Sequence, residues 1–118
     1  EAGSIPIPSY LAKKGIRDML RISDGRMSGT AYGAVALHVS PEAAVGGPLA
    51  LVKDRDEIFI DAEAGVLDLN VPTDELVRRK REWMSPPLPA RGWRRLYASS
   101  VQQANLGVDL NFLTSNES

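Results

Sequence analysis

The run Arg21-Ile-Ser-Asp-Gly-Arg-Met-Ser-Gly-Thr30 places an acid (Asp24), a cation (Arg26) and two hydroxyls (Ser28 and Thr30) on one short segment bracketed by Gly25 and Gly29. Glycines there allow positive φ and a close approach of the backbone to a bound molecule, and a loop of this kind directly after an apolar strand often faces a ligand. The same residue types also make an ordinary turn in which Asp and Ser satisfy local amides, and on pattern alone the turn is the simpler reading. Spacing excludes two familiar motifs. A phosphate-cradling loop needs Lys after its second glycine, where this chain has Thr30. A nucleophile elbow needs Ser two residues after its first glycine, whereas Ser28 comes later than that after Gly25. Asp24 and Arg26 read as a pair or brace for the loop. His38, the only histidine, reads as a hydrogen-bonded core residue on an apolar strand. Trp83, Trp93 and Tyr97 read as core or interdomain packing.

The elements that must position this run alternate along the chain. Pro8 and Ser9 open a short helix to about Lys14, stopped by Gly15. Met19 to Ser23 reads as a buried strand leading into the Gly-rich loop, and Val35 to Val39 as a second one. Pro41-Glu42-Ala-Ala44 starts a short helix with Pro at its first position, broken by Gly46-Gly47-Pro48. Residues 57–62 and 66–71 form a hairpin turned at Gly65, with Ile58, Ile60 and Ala62 alternating against Glu57, Phe59 and Asp61. Thr73 caps a helix to about Trp83, its positive end complemented by Asp74 and Glu75. Ser85-Pro-Pro-Leu-Pro89 is a stiff connector. A last helix runs from about Trp93 to Ala104, and a flexible tail follows from about Thr114.

The chain has 118 residues, enough for one domain with a modest core. It contains no cysteine, which excludes disulfides and thiolate metal sites within it. It begins at Glu1 without Met and carries neither a signal peptide nor an apolar run long enough for a bilayer, so a fragment of a cytoplasmic, non-membrane protein is expected. Net charge is −1, yet the basic residues concentrate between Arg78 and Arg95. Glu75 and Glu82 flank Arg78-Arg79-Lys80-Arg81, and stacking aromatics are not interleaved there. A solvated helix face or a docking surface fits better than a nucleic-acid site.

The stretch Ile22-Ser-Asp-Gly-Arg-Met-Ser-Gly-Thr-Ala31, followed by Leu37-His-Val-Ser-Pro-Glu-Ala-Ala-Val-Gly-Gly-Pro-Leu-Ala-Leu-Val52, resembles the C-terminal part of the family of dihydroxy-acid, phosphogluconate and sugar-acid dehydratases. The likeness continues through Leu67-Asp-Leu69, Arg78 to Trp83 and Arg91-Gly-Trp-Arg-Arg-Leu-Tyr97, and ends near Asp109-Leu-Asn-Phe-Leu113. Met27, Thr30-Ala31 and the segment from Trp93 to Tyr97 are closer to the arabinonate and other aldonate dehydratases. Arg55 stands where members commonly have Gly.

The resemblance implies an α/β fold, a mixed layered swivelling-type β/β/α domain with a barrel-like sheet, spanning 1–118 as the C-terminal domain of a larger enzyme. It implies loss of water from a 2,3-dihydroxy acid to give a 2-keto-3-deoxy acid. Ser28 would be the base as its alkoxide, with nearby cations stabilising the oxyanion. Thr30 and Gly29 would lie beside the substrate, and Glu1 would ligate a Mg²⁺ that binds the substrate carboxylate. An iron-sulfur cluster would be held by cysteines outside this chain, in an N-terminal domain against which the Gly-rich loop is pressed. Expected partners are a small sugar-acid or dihydroxy-acid substrate, that N-terminal domain and further copies in a homo-oligomer. The fragment alone is expected to fold but to bind neither iron nor substrate. Two rivals stand beside the aldonate reading: the dihydroxy-acid dehydratase of branched-chain amino acid synthesis, and a noncatalytic binding or assembly module that retains the loop.

Overall fold

Local chain chemistry sets the first element. In the computed structural model, which describes residues 5–27 and 32–114, helix α1 (Ser9–Lys13) follows Pro8 and ends at Gly15, whose φ is +81°. The Gly15 amide donates to the Ala12 carbonyl (3.0 Å) and the Ile16 amide to the Leu11 carbonyl (3.1 Å). These two bonds satisfy carbonyls that the helix end leaves open, and glycine makes the left-handed turn without steric cost.

Strands β1 (Arg21–Ile22) and β2 (Val35–Ala36) pair in parallel, Arg21 opposite Val35 and Ile22 opposite Ala36. Both are shorter than their apolar runs suggest. Met19 and Leu20, expected to be buried, are exposed, because Asp18 and Arg21 use this stretch to tie the surrounding backbone instead of extending the ladder. After β2 come two 3₁₀ turns, Ala43–Val45 and Pro48–Leu51, separated by Gly46 at φ +77° and Gly47. A Cβ on Gly47 would lie 1.9 Å from the Pro41 carbonyl oxygen, so only glycine fits there.

The hairpin is as the alternation foretells. Strands β3 (Ile58–Asp61) and β4 (Val66–Leu69) run antiparallel with Ile58 opposite Leu69 and Asp61 opposite Val66, around Gly65 at φ +68°. One side differs from expectation. Ile60 and its partner Leu67, on the same face as Ile58 and Leu69, are exposed toward the turn end of the hairpin, and Phe59 is exposed on the opposite face. Helix α2 (Thr73–Glu82) has Asp74 and Glu75 in its first turn, but Thr73 is its first helical residue, and Pro72 precedes it without a side-chain cap. Helix α3 (Gly92–Ser100) ends earlier than expected. Val101 turns extended and bridges to Leu110, while the Gln102 amide donates to the Asp109 carbonyl (2.8 Å). Competing strand-like pairing ends the helix.

The interior is open. A cavity of about 260 Å³ lies between the two small sheets, lined by Ile22, Val39, Leu49, Val52, Ile58 and Leu69. Among the described residues no apolar side chain is fully buried, and Trp93 is 66% exposed. The Cα radius of gyration is 16.8 Å, against about 13.5 Å for a compact domain of this length. The described residues form two separate two-stranded sheets and no closed barrel, and none of their helices is long and apolar enough to cross a membrane. An isolated core sufficient for this chain to fold alone, as the sequence suggests, is not built by these residues.

Candidate functional site

Ser28, Gly29, Thr30 and Glu1 lie outside the described residues, as do residues 115–118 of the expected tail. What the structure describes is the frame on either side of the loop that carries three of them.

On the incoming side, Ser23 Oγ accepts from the Gly25 amide (2.9 Å), a local turn bond. Asp24 and Arg26 brace the loop, though not by pairing with each other. Asp24 Oδ2 accepts from the Ala43 amide (2.6 Å), docking the loop on the first 3₁₀ turn. Arg26 forms an ion pair with Glu42. It also donates through Nη1 to the Tyr97 hydroxyl (2.9 Å) and through Nη2 to the Gln102 carbonyl (2.9 Å). Glu42 is tied in turn, its amide donating to Gln103 Oε1 (2.8 Å). Both charged side chains are largely buried, 19% and 17% exposed, so each charge depends on the other for its solvation. The loop is thereby fastened to the segment following α3. Arg26 Nε is buried without a partner among the described residues.

On the outgoing side a second arginine does the same work. Arg21 donates to the Ile5 carbonyl (2.7 Å), to Asp18 Oδ1 (3.1 Å), to the Met19 carbonyl (3.2 Å) and to the Tyr32 carbonyl. Asp18 Oδ2 accepts from the Ala34 amide (3.0 Å). Gly33, at φ +83°, lies so close that a Cβ would stand 2.2 Å from Asp18 Oδ1. Both stems of the loop are therefore pinned by guanidinium groups whose fixed forks hold several acceptors at once.

Beside the incoming stem lies a cleft of about 550 Å³, whose polar lining comes from Arg26, His38, Ser40, Tyr97 and Asn105. His38 is not a core residue. It is exposed, has φ +55°, and its Nε2 lies 3.1 Å from both the nitrogen and the carbonyl oxygen of Met27. Among the described residues no group of three His, Asp or Glu side chains is arranged to hold a metal ion.

Residues 1–108 match the family profile described as dihydroxy-acid/6-phosphogluconate dehydratase C-terminal. The chain belongs to this dehydratase family. It is 52% identical over 114 residues to L-arabinonate dehydratase of Rhizobium leguminosarum, covering 96% of this chain and 20% of that protein. It is 51% identical over 118 residues to 6-deoxy-6-sulfo-D-gluconate dehydratase of Pseudomonas putida, covering 99% and 20%. A dihydroxy-acid dehydratase of Pyrobaculum aerophilum is 53% identical over 88 residues, covering 74% and 16%. The chain thus spans about a fifth of the length of these relatives.

Within the dehydratase domain the structure brings together residues that sequence reasoning left apart. Glu42, Tyr97 and Gln102 converge on Arg26, and His38 on Met27. A signal existed for His38 in its being the only histidine, directly before Val39-Ser40-Pro41. Nothing in spacing marked Tyr97 as a partner of the loop. Three residues of the basic run on α2 are engaged within the chain: Arg78 pairs with Glu75 and Glu82, Arg79 with Glu75 and Asp56, and Lys80 donates to the Gly46 carbonyl and lies 4.7 Å from the Trp83 ring centre. The Arg78 guanidinium, followed by that of Arg79, holds the Glu75 carboxyl at about 2, against an ordinary 4.5.

Proposed function

We propose that this chain is the C-terminal, catalytic-loop domain of a hydro-lyase that converts an aldonic or other 2,3-dihydroxy sugar acid to a 2-keto-3-deoxy acid. The observation that carries the reading is the family match over residues 1–108, with relatives named for sugar acids aligned over nearly the whole chain. The site frame supports it. Two arginine hubs hold both stems of one loop, which is the positioning that a reacting side chain needs and a simple surface turn does not.

In this reading Ser28, as its alkoxide, takes the C2 proton. The C–H electron pair becomes the second bond of C2=C3 as the C3–O bond breaks, the departing hydroxyl takes the C3–O pair and a proton to leave as water, and the enol tautomerises to the keto acid. Thr30 and Gly29 orient the substrate beside it. This chain does not fit the metals that the resemblance implies: it has no cysteine, and Glu1 is its one candidate ligand for Mg²⁺. The iron-sulfur cluster and the rest of the Mg²⁺ site are assigned to the N-terminal part of the protein, and no step is derived through them. The remaining assignments are a swivelling-type β/β/α domain over residues 1–118 with a barrel-like sheet completed in the whole protein, a homo-oligomeric assembly and a cytoplasmic location.

A second reading, dihydroxy-acid dehydratase of branched-chain amino acid synthesis, is favoured by the 53% identity to the Pyrobaculum protein, although over a shorter stretch. The test is a panel of aldonates and branched dihydroxy acids on the full-length protein, with keto-acid product measured. Aldonates turned over at least tenfold faster support the first reading, and the reverse order supports the second. No turnover of either by iron-loaded protein would leave the noncatalytic module.

A further inference from the structure

The β1–β2 pairing contains an extra residue. The Ser23 amide donates to the Ala36 carbonyl (2.9 Å), but the Ser23 carbonyl accepts from Val39 (3.2 Å) and not from His38, the position at which an unbroken parallel ladder would donate. Leu37 and His38 together oppose Ser23, and the inserted position is a bulge. His38 takes φ +55° there, in the left-handed region that penalises any residue with a Cβ. Bulges bend a strand and re-aim a side chain, and a strained non-glycine residue persists only where its surroundings hold it. What this one achieves is visible. The His38 ring crosses to the loop and places Nε2 3.1 Å from both polar atoms of Met27. Either neutral tautomer grips that backbone: a bare Nε2 accepts from the Met27 amide, and a protonated one donates to its carbonyl.

We propose that His38 is a positioning residue for the dehydration, holding the Met27 backbone from the β-bulge so that the next residue in the chain meets the substrate in one orientation. The inference rests on the reading of Ser28 as the base. His38 does not touch the reacting atoms in this scheme; it acts through the peptide it holds. Arg26 and Arg21 fix the stems, and His38 holds the Met27 peptide.

The test uses the full-length, metal-loaded enzyme. At φ +55° glycine is the residue the backbone prefers, so His38→Gly should keep or raise Tm and leave iron content unchanged. It should nevertheless lower kcat roughly 10- to 100-fold with KM within about twofold, the scale of a lost positioning contact. Exchange of the Met27 amide should quicken by about tenfold in the same variant. His38→Gln, whose amide reaches the place of Nε2, should recover part of kcat, and His38→Asn, which reaches only the place of Nδ1, should not. If His38→Gly keeps kcat within twofold while Ser28→Ala is inactive, the positioning role is overturned and the base assignment stands. Full turnover in Ser28→Ala would overturn the base assignment, and the inference with it.

Discussion

At the scale of single residues, the two hydroxyls of the loop should separate on mutation. A lost general base costs several orders of magnitude in turnover, whereas a lost orienting hydroxyl costs roughly 10- to 100-fold. Ser28→Ala should therefore reduce kcat of the full-length enzyme far more than Thr30→Ala, with iron content and circular dichroism unchanged in both; equal losses would remove the distinction between base and orienter. A second residue tests the backbone instead. Arg55 has φ +73° in the turn closed by the Asp56 amide donating to the Lys53 carbonyl (3.1 Å). A side chain in the left-handed region costs about 1–2 kcal/mol, and the extra freedom of unfolded glycine returns about 0.5–1 of it. Arg55→Gly should stabilise the full-length protein by up to about 1.5 kcal/mol in denaturant titration, and a destabilisation would show that the Arg55 side chain makes a contact outside this chain.

At the scale of elements, α2 is held to the rest of the chain by charge. Arg79 reaches across to the Leu51 carbonyl (2.9 Å) and to Asp56, and shares Glu75 with Arg78. Arg79, then the Lys53 amide, keep the Asp56 carboxyl below its usual range, and Glu75 lies at about 2 against an ordinary 4.5. Carboxyls lowered in this way bind fewer protons folded than unfolded at pH values between the two states. Their contribution is complete above about 4.5 and is lost as pH falls toward 2. Acid titration should loosen α2 in that window, and Glu75→Gln should flatten the acid limb of the stability profile. An unchanged limb would assign the acid sensitivity to other carboxylates. Salt should weaken the half-exposed pairing of Arg78 with Glu75 more than the largely buried Arg79–Asp56 pair.

At the scale of the whole molecule, the exposed apolar side chains decide the expectation. Phe59, Ile60, Leu67, Trp93 and Leu96 are all exposed, which leaves little apolar packing within the described residues to hold the chain together. Separated from the rest of the protein, this chain should be loosely packed, bind a hydrophobic dye and unfold without a sharp transition. A cooperative, dye-silent fragment would show that the apolar surface is covered within the chain. Amide exchange tests whether the loop lies at a domain boundary of the whole protein, as the resemblance implies. Amides from Asp24 to Met27 should exchange slowly in the full-length protein and quickly in the fragment, and equal protection in both would make the loop a self-contained turn.

Local features of the fold were legible in the sequence because their causes are local. Gly15 ends α1 and Gly65 turns the hairpin since each needs a left-handed backbone that glycine takes freely. Asp74 and Glu75 mark the start of α2 because a helix N-terminus favours negative charge within one turn. The family could likewise be read from two long blocks around the loop. The frame of the site could not. Arg26 finds Glu42, Tyr97 and Gln102, partners too distant along the chain to leave a periodic trace. α3 stops at Ser100 because Val101 pairs with Leu110, against a sequence that reads as helix to Ala104. His38 leaves the apolar face through a bulge that alternation does not reveal, since one inserted residue reverses which side chains point where. The sequence by itself determined which turns form and which family the chain belongs to, whereas only the tertiary structure decided what holds the stems of the Gly-rich loop, because pairing across distant segments depends on where the backbone brings them together.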